Sequence, residues 1–304
     1  MAKAPTNPAA GILLVDKPQG ITSHDVVSRA RRAIGTRKVG HAGTLDPMAT
    51  GLLVLGVNAA TRLLTWVVGL DKEYTATIRL GAASTTDDAE GELGDVRDTA
   101  GVTDAAIAAG VAALTGPILQ RPSAVSAIKV DGRRAYALVR EGEQVELAER
   151  PVTISEFSVL DTRRVSAGPT TAWLDLDVRV ACSSGTYIRA LARDLGESLG
   201  TGGHLTALRR TRIGPFAVGS ASSLDDDDLA ARMLQPAEVA GTLFERVDLS
   251  PEQAVDLGHG KRIALGATGA GTLAAVAPDG RLVGLVENVG GRAHVLVNFP
   301  EEPA

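Results

Sequence analysis

The stretch Gly40-His41-Ala42-Gly43-Thr44-Leu45-Asp46-Pro47-Met48-Ala49-Thr50-Gly51 constrains this chain more than any other. Its glycines permit backbone conformations that a Cβ disfavours, while Pro47 fixes its own φ and pushes Asp46 towards an extended conformation. Those are the properties of a shaped loop. Leu52-Leu53-Val54-Leu55 follows at once as a continuous apolar run, which predicts a buried strand able to hold the loop still. An acid fixed at the edge of a core strand is well placed for chemistry. On its own, however, an Asp-Pro pair more often caps a turn, and a lone His41 is more often an ordinary surface histidine. The loop gains meaning only from the rest of the chain.

With 304 residues, 44% hydrophobic and 22% charged, there is material for one large core plus a smaller domain. No apolar run approaches the roughly 20 residues that span a bilayer, and the first ten residues lack an apolar signal core, so no membrane partner and a cytoplasmic location are expected. The single cysteine, Cys182, excludes an internal disulfide framework and reads as a small buried thiol beside a strand. A net charge of −5 argues, as a total, against a nucleic-acid partner. Its distribution argues the other way. Acids crowd into Asp87, Asp88, Glu90, Glu92 and Asp95 and again into 225–228, while Arg29, Arg31, Arg32, Arg37 and Lys38 run directly into the loop. Further basic groups gather between Arg121 and Arg140 and at Arg209, Arg210 and Arg212. Such clusters can form a phosphate-binding surface on an acidic protein, because a ligand meets the local potential. Each cluster taken singly is more often a solvated face.

In chain order, Gly11 to Asp16 predicts an apolar strand stopped by Lys17-Pro18-Gln19-Gly20. A helix is expected next, capped by Thr22 or Ser23, with Asp25 complementing its dipole and Val26, Val27, Ala30, Ala33 and Ile34 at helical spacing before Gly35. Past the loop and the Gly51 to Leu55 strand, Asn58 is expected to cap a short helix through Leu64. Lys72 to Leu80 alternates, which puts Tyr74, Ala76, Ile78 and Leu80 on one face of a strand. Ser84 to Asp98 is acidic and poor in apolar residues, and reads as an exposed excursion. Thr103 to Leu114 reads as an alanine-rich amphipathic helix.

Gly116 to Gly142 is basic and rich in turns, with a strand-like Ser126 to Val130, a turn at Asp131-Gly132 and a short helix around Tyr136. That is the pattern of a protruding insertion. Pro151 to Leu160 and Thr171 to Ala181 return to strands, and the second feeds Cys182 to Arg189 and a helix to Leu199. Gly202-Gly203-His204 leads into the basic run that ends at Gly214-Pro215-Phe216. From about Val247 a small unit begins, and its end reads as a meander of Thr272 to Ala277, Arg281 to Glu287 and Arg292 to Phe299 around two glycine turns.

Taken together, Asp16-Lys17-Pro18-Gln19-Gly20-Ile21-Thr22-Ser23, the Gly40 to Pro47 loop, Lys72-Glu73-Tyr74 with Leu80-Gly81, Ser126-Ala127-Ile128-Lys129, Gly185-Thr186-Tyr187-Ile188-Arg189 and Gly203-His204-Leu205 resemble the bacterial TruB family of tRNA pseudouridine synthases, from about Gly11 to Phe216. The resemblance implies an α+β pseudouridine synthase fold, with a central mixed, mostly antiparallel sheet flanked by helices and a small β-rich, PUA-like C-terminal domain. Residues 1–10 are then a flexible N-terminus, 11–243 the catalytic domain with an RNA-clamping insertion at about 120–146, and 247–304 the C-terminal domain.

It also implies a reaction, the isomerisation of the T-loop uridine of tRNA to pseudouridine without cofactor, metal or energy source. Asp46 would be the nucleophile, Arg189 its bidentate ionic partner, and Tyr74 a base-stacking group that also assists proton transfer. Tyr187 and Leu208 would line the pocket, and Lys17 and His41 would contact substrate, His41 on the RNA from which the base has flipped. For each aromatic or leucine alone, core packing is the commoner role. The chain departs from the pattern at Ser123 and Val125, where family members commonly have a second proline and an aromatic. The expected partner is the tRNA T-stem-loop, bound by a monomer. An RNA-guided synthase needing partner proteins and a non-catalytic tRNA-folding factor stand as alternatives.

Overall fold

The computed structural model describes residues 9–123, 129–130, 133–134, 147–168, 171–226, 228–266 and 269–300. In chain order the first elements are β1 (Gly11–Lys17), α1 (Ser23–Ile34), β2 (Val39–His41), β3 (Thr50–Val57) and a 3-10 turn (Asn58–Leu63) running into α2 (Leu64–Val68). Then come β4 (Lys72–Leu80), α3 (Asp104–Ala113), β5 (Gly116–Gln120), β6 (Lys129–Val130), β7 (Arg133–Arg134), β8 (Arg150–Ser166), β9 (Ala172–Cys182), α4 (Ile188–Ser198) and β10 (Gly203–Ile213). The chain closes with β11 (Phe216–Ala217), α5 (Pro236–Leu243), β12 (Glu245–Asp248), α6 (Pro251–Gly258), β13 (Thr272–Val276), β14 (Leu282–Val289) and β15 (Arg292–Asn298). Two compact units emerge: one from the chain up to Pro47, Gly51–Val68 and Pro215 onwards, the other from Met48–Thr50 and Gly69–Gly214. The helix expected around Tyr136 and the turn expected at Asp131-Gly132 lie outside the described residues, as does most of the strand expected from Ser126.

In the first unit β3 is buried along nearly its whole length, which is why its sequence is a continuous apolar run. It pairs antiparallel with β1 from Gly11↔Val57 to Lys17↔Gly51 and with β2 from Val39↔Val57 to His41↔Leu55. Helix α1 covers this pair, packing Val26, Val27, Ala30 and Ile34 with Leu13, Val15, Leu53 and Leu55. Its start is fixed by a capping box in which Thr22 and Asp25 each accept the other's backbone N–H, and its end by Gly35 at φ 79. Asn58 differs from expectation. It is the first residue of the 3-10 turn, at φ 52, and its side-chain oxygen accepts from the Thr36 hydroxyl at 2.8 Å. Asparagine tolerates that left-handed backbone, so its chemistry serves the turn itself. The C-terminal strands form the sheet β12-β13-β14-β15, with the meander as expected and β12 added parallel to β13. Leu257 of α6 joins Leu273, Ala275, Val283 and Val286 in its core.

In the second unit the strands lie in the order β10-β4-β9-β8-β5, each pair antiparallel. The alternation in β4 is observed: Lys72, Tyr74, Ala76, Ile78 and Leu80 are buried and their neighbours half-buried. On the alternate face, Arg79 meets Asp175 through two bonds of 2.7 and 2.8 Å and covers the Trp173 ring at 4.6 Å. β10 was not legible as a strand, because bulges between Leu205 and Ala207 and between Arg210 and Arg212 break its period. α4 packs on β10 so closely that a Cβ at Gly196 would collide with the Gly202 and Gly203 backbone.

The exposed excursion expected at Ser84 to Asp98 is corrected in its first half. Ser84, Asp87 and Asp88 are buried, and the segment folds back through Thr85 N–H to Glu92 O at 3.0 Å and Gly94 N–H to Ala83 O at 2.9 Å. Composition counts charges but not the partners that make their burial tolerable.

Candidate active site

Asp46 is half-buried, and both of its neighbours are tied to the segment between β1 and α1. The Ser23 hydroxyl donates to Leu45 O at 3.1 Å and accepts from Leu45 N–H at 2.9 Å. On the other side, Pro47 O accepts from Gly20 N–H at 2.8 Å and from Lys17 Nζ at 3.3 Å. Lys17 is fully buried, and its ammonium also donates to Ile21 O at 2.7 Å and Pro18 O at 3.0 Å. Gly43 at φ 97 and Gly51 at φ 101 supply left-handed turns that a side chain would strain. The loop is therefore shaped by its own glycines and pinned through main-chain groups. His41 ends β2 opposite Leu55 and is half-buried.

Tyr74 and Leu208 are brought together in the other unit. β4 and β10 pair Ala76 with Leu208 and Tyr74 with Arg210, so all four side chains belong to one face. Tyr74 and Leu208 are each only 7% exposed. Arg210, expected among surface phosphate-binding groups, is 1% exposed and points into this face, and Arg212 is paired with Asp71 at 2.8 Å. That basic run is therefore not a surface patch.

Tyr187 and Arg189 open α4. Gly185, at φ 87, turns the chain there, and the Thr186 hydroxyl donates to Ser183 O at 3.0 Å. The Gln120 amide grips the Tyr187 backbone from both sides, accepting from its N–H at 2.8 Å and donating to its carbonyl at 3.0 Å. Gln120, expected at the root of the insertion, ends β5 with its side chain buried. Arg189 is 4% exposed; its Nη1 donates to Thr86 O at 2.9 Å and faces Asp88 Oδ2 at 3.4 Å. Asp88 is itself held, its Oδ1 accepting from the Thr86 hydroxyl at 2.5 Å and from Glu90 N–H at 3.0 Å. Sequence reasoning missed both Gln120 and Asp88, for which no local pattern gives a signal.

Three titratable groups are buried in β10, β9 and β4. His204 Nδ1 lies 2.8 Å from Ala82 O, which can only accept, so Nδ1 carries the proton. Burial holds this imidazole below its usual range and keeps it neutral. Burial pushes the Cys182 thiol up to about 11, an inert group as expected. Lys72, whose Nζ donates to Leu70 O at 2.7 Å, is lowered to about 8 by burial and by the neighbouring Arg210 charge.

Known proteins match this arrangement along most of the chain. Residues 31–188 match the TruB family pseudouridylate synthase N-terminal domain, 189–253 the tRNA pseudouridylate synthase B C-terminal domain, and 244–300 the tRNA pseudouridine synthase II C-terminal domain. The tRNA pseudouridine synthase B of Leifsonia xyli subsp. xyli is 58% identical over 300 residues, covering 96% of this chain and 97% of that protein. The protein of the same name from Arthrobacter sp. is 58% identical over 299 residues, with 95% and 96% covered. Among solved structures, a Cbf5-Nop10-Gar1 complex superposes with a TM-score of 0.68 at 24% identity, covering 95% of this chain and 85% of that one, a likeness of fold. The α+β fold, the shaped loop and these matches together place the chain in the TruB family of pseudouridylate synthases.

Proposed function

We propose that this chain isomerises the T-loop uridine of tRNA, position 55, to pseudouridine, with Asp46 as nucleophile. The observation that carries the reading is the pinning of Leu45 and Pro47 on either side of Asp46 by Ser23, Gly20 and Lys17. Holding the main chain on both sides fixes where Asp46 stands in the loop. The reaction breaks the ribose C1′–N1 bond, turns the uracil and rejoins it through C5, so atoms balance without cofactor, metal or redox partner.

In this reading the carboxylate forms a covalent intermediate that divides one hard step into easier ones. Arg189 keeps Asp46 ionised and aimed. Tyr74 stacks on the flipped base and assists proton transfer, and Leu208 and Tyr187 line the same pocket. Lys17 serves the substrate site through the loop that it braces, and His41 meets the RNA where the base has left. Flipping a stacked uridine costs a few kcal/mol, which binding of the T-stem-loop offsets. A monomer in the cytoplasm, with a PUA-like C-terminal domain from about residue 247, completes the proposal.

The test mixes purified protein with unmodified tRNA transcript and maps pseudouridine by carbodiimide treatment and primer extension. Wild type is expected to give a stop in the T-loop, and Asp46→Asn to give none while still binding tRNA. Product from Asp46→Asn, or no T-loop product from wild type, refutes the assignment.

A further inference from the structure

Asp87 takes no part in the chemistry just described, yet it is among the most constrained residues of its unit. It is 9% exposed and has a left-handed backbone, φ 60, that side chains seldom adopt. Its carboxylate Oδ2 accepts from the Ser123 hydroxyl at 2.5 Å and from Arg193 Nη1 at 3.0 Å, and its carbonyl accepts from Leu205 N–H at 3.0 Å. Arg193 continues outward, donating to Arg121 O at 2.8 Å and to Asp194 Oδ1 at 2.9 Å. Three separate segments, the chain after β5, helix α4 and strand β10, thus converge on one acid.

Arg189 and Arg193 stand one turn apart on α4, so they project to the same side. The consecutive acids Asp87 and Asp88 meet them in step: Asp87 with Arg193 at 3.0 Å, Asp88 with Arg189 at 3.4 Å. Neither acid can shift without moving the other, because a single peptide joins them. Ser123 is fully buried, so the bond its hydroxyl donates to Asp87 is shielded from water.

We propose that Asp87, gripped by Ser123 and Arg193, is a positioning residue for the reaction: it fixes the peptide that presents Asp88 to Arg189 and so sets the aim of that guanidinium. The inference rests on the role of Arg189 given above. It makes Ser123 and Arg193 parts of the catalytic framework although neither touches substrate.

The test compares Asp87→Asn, which keeps the shape and tolerates the left-handed backbone, with wild type in single-turnover pseudouridine formation and in tRNA filter binding. The rate is expected to fall about tenfold with the tRNA Kd within about twofold, and Asp87→Asn added to Asp88→Asn is expected to cost less than about twofold more, since both act through one arginine. A wild-type rate from folded Asp87→Asn, or a full multiplicative loss on Asp88→Asn, overturns the proposal. Should Asp87→Asn not fold, Ser123→Ala decides: a rate loss of about threefold that Ser123→Thr restores supports the grip, and an unchanged rate overturns it. Absence of product from wild type would indict the assigned reaction instead, and is scored separately.

Discussion

Lys72 shows what burial does to a single charge. It is 6% exposed beside Arg210, so the folded chain gives up its proton near pH 8 whereas the unfolded chain holds it to 10.5. Below about 8 the folded state bears the full penalty of a buried ammonium, and the penalty is released as pH rises towards 10.5. Wild type should therefore gain stability relative to Lys72→Met between these limits, with a slope of at most about 1.4 kcal/mol per pH unit. Denaturant unfolding of both proteins across that range measures it, and a constant difference would refute the argument. Residues of this kind are hidden from sequence: Lys72 was legible as an inward position of an alternating strand, but nothing local announced that Arg210 would face it from 138 residues away.

At the scale of elements, the segment from β1 to α1 is a brace for the Asp46 loop. Ser23→Ala removes the donor and the acceptor that hold Leu45 and leaves a buried N–H unmatched, which should lower stability by about 1–3 kcal/mol. Turnover should fall while tRNA affinity holds, measured by unfolding titration and by single-turnover assay; an unchanged rate would mean that the loop keeps its shape without Ser23. The strands β1, β3, β4, β8 and β9, the helices α1, α3 and α4, and the C-terminal meander were legible because period, caps and glycine turns all agreed. β10 was not, since its bulges change phase in mid-strand, and the burial of Asp87 and Asp88 was not, since it depends on arginines supplied by α4. Of the candidate site, the resemblance to the TruB family named the residues. The supporting contacts of Gln120, Asp88 and Ser123 emerged only with the fold.

For the whole molecule, the net charge of −5 conceals how unevenly the surface is charged. Arg29, Arg31, Arg32, Arg37 and Lys38 are all exposed, whereas Arg210 is sequestered and Arg212 paired. Among the described residues no helix is long and apolar enough to cross a membrane. If tRNA phosphates are held by the α1 group, log Kd should vary linearly with log salt, and Arg29→Gln with Arg32→Gln should reduce the slope by about two. A salt-independent Kd, or a slope untouched by the double substitution, would move the phosphate contacts elsewhere.

The brace on the Asp46 loop also orders the molecule's assembly in time. Ser23 reaches Leu45 across 22 residues and Lys17 reaches Pro47 across 30, so the loop cannot settle until β1 has found β3. Helix α1 needs only its own local contacts, while closing the longer span costs chain entropy first. On refolding, recovery of helical signal should therefore run ahead of recovery of turnover, with the carboxylate among the last groups to reach its working geometry.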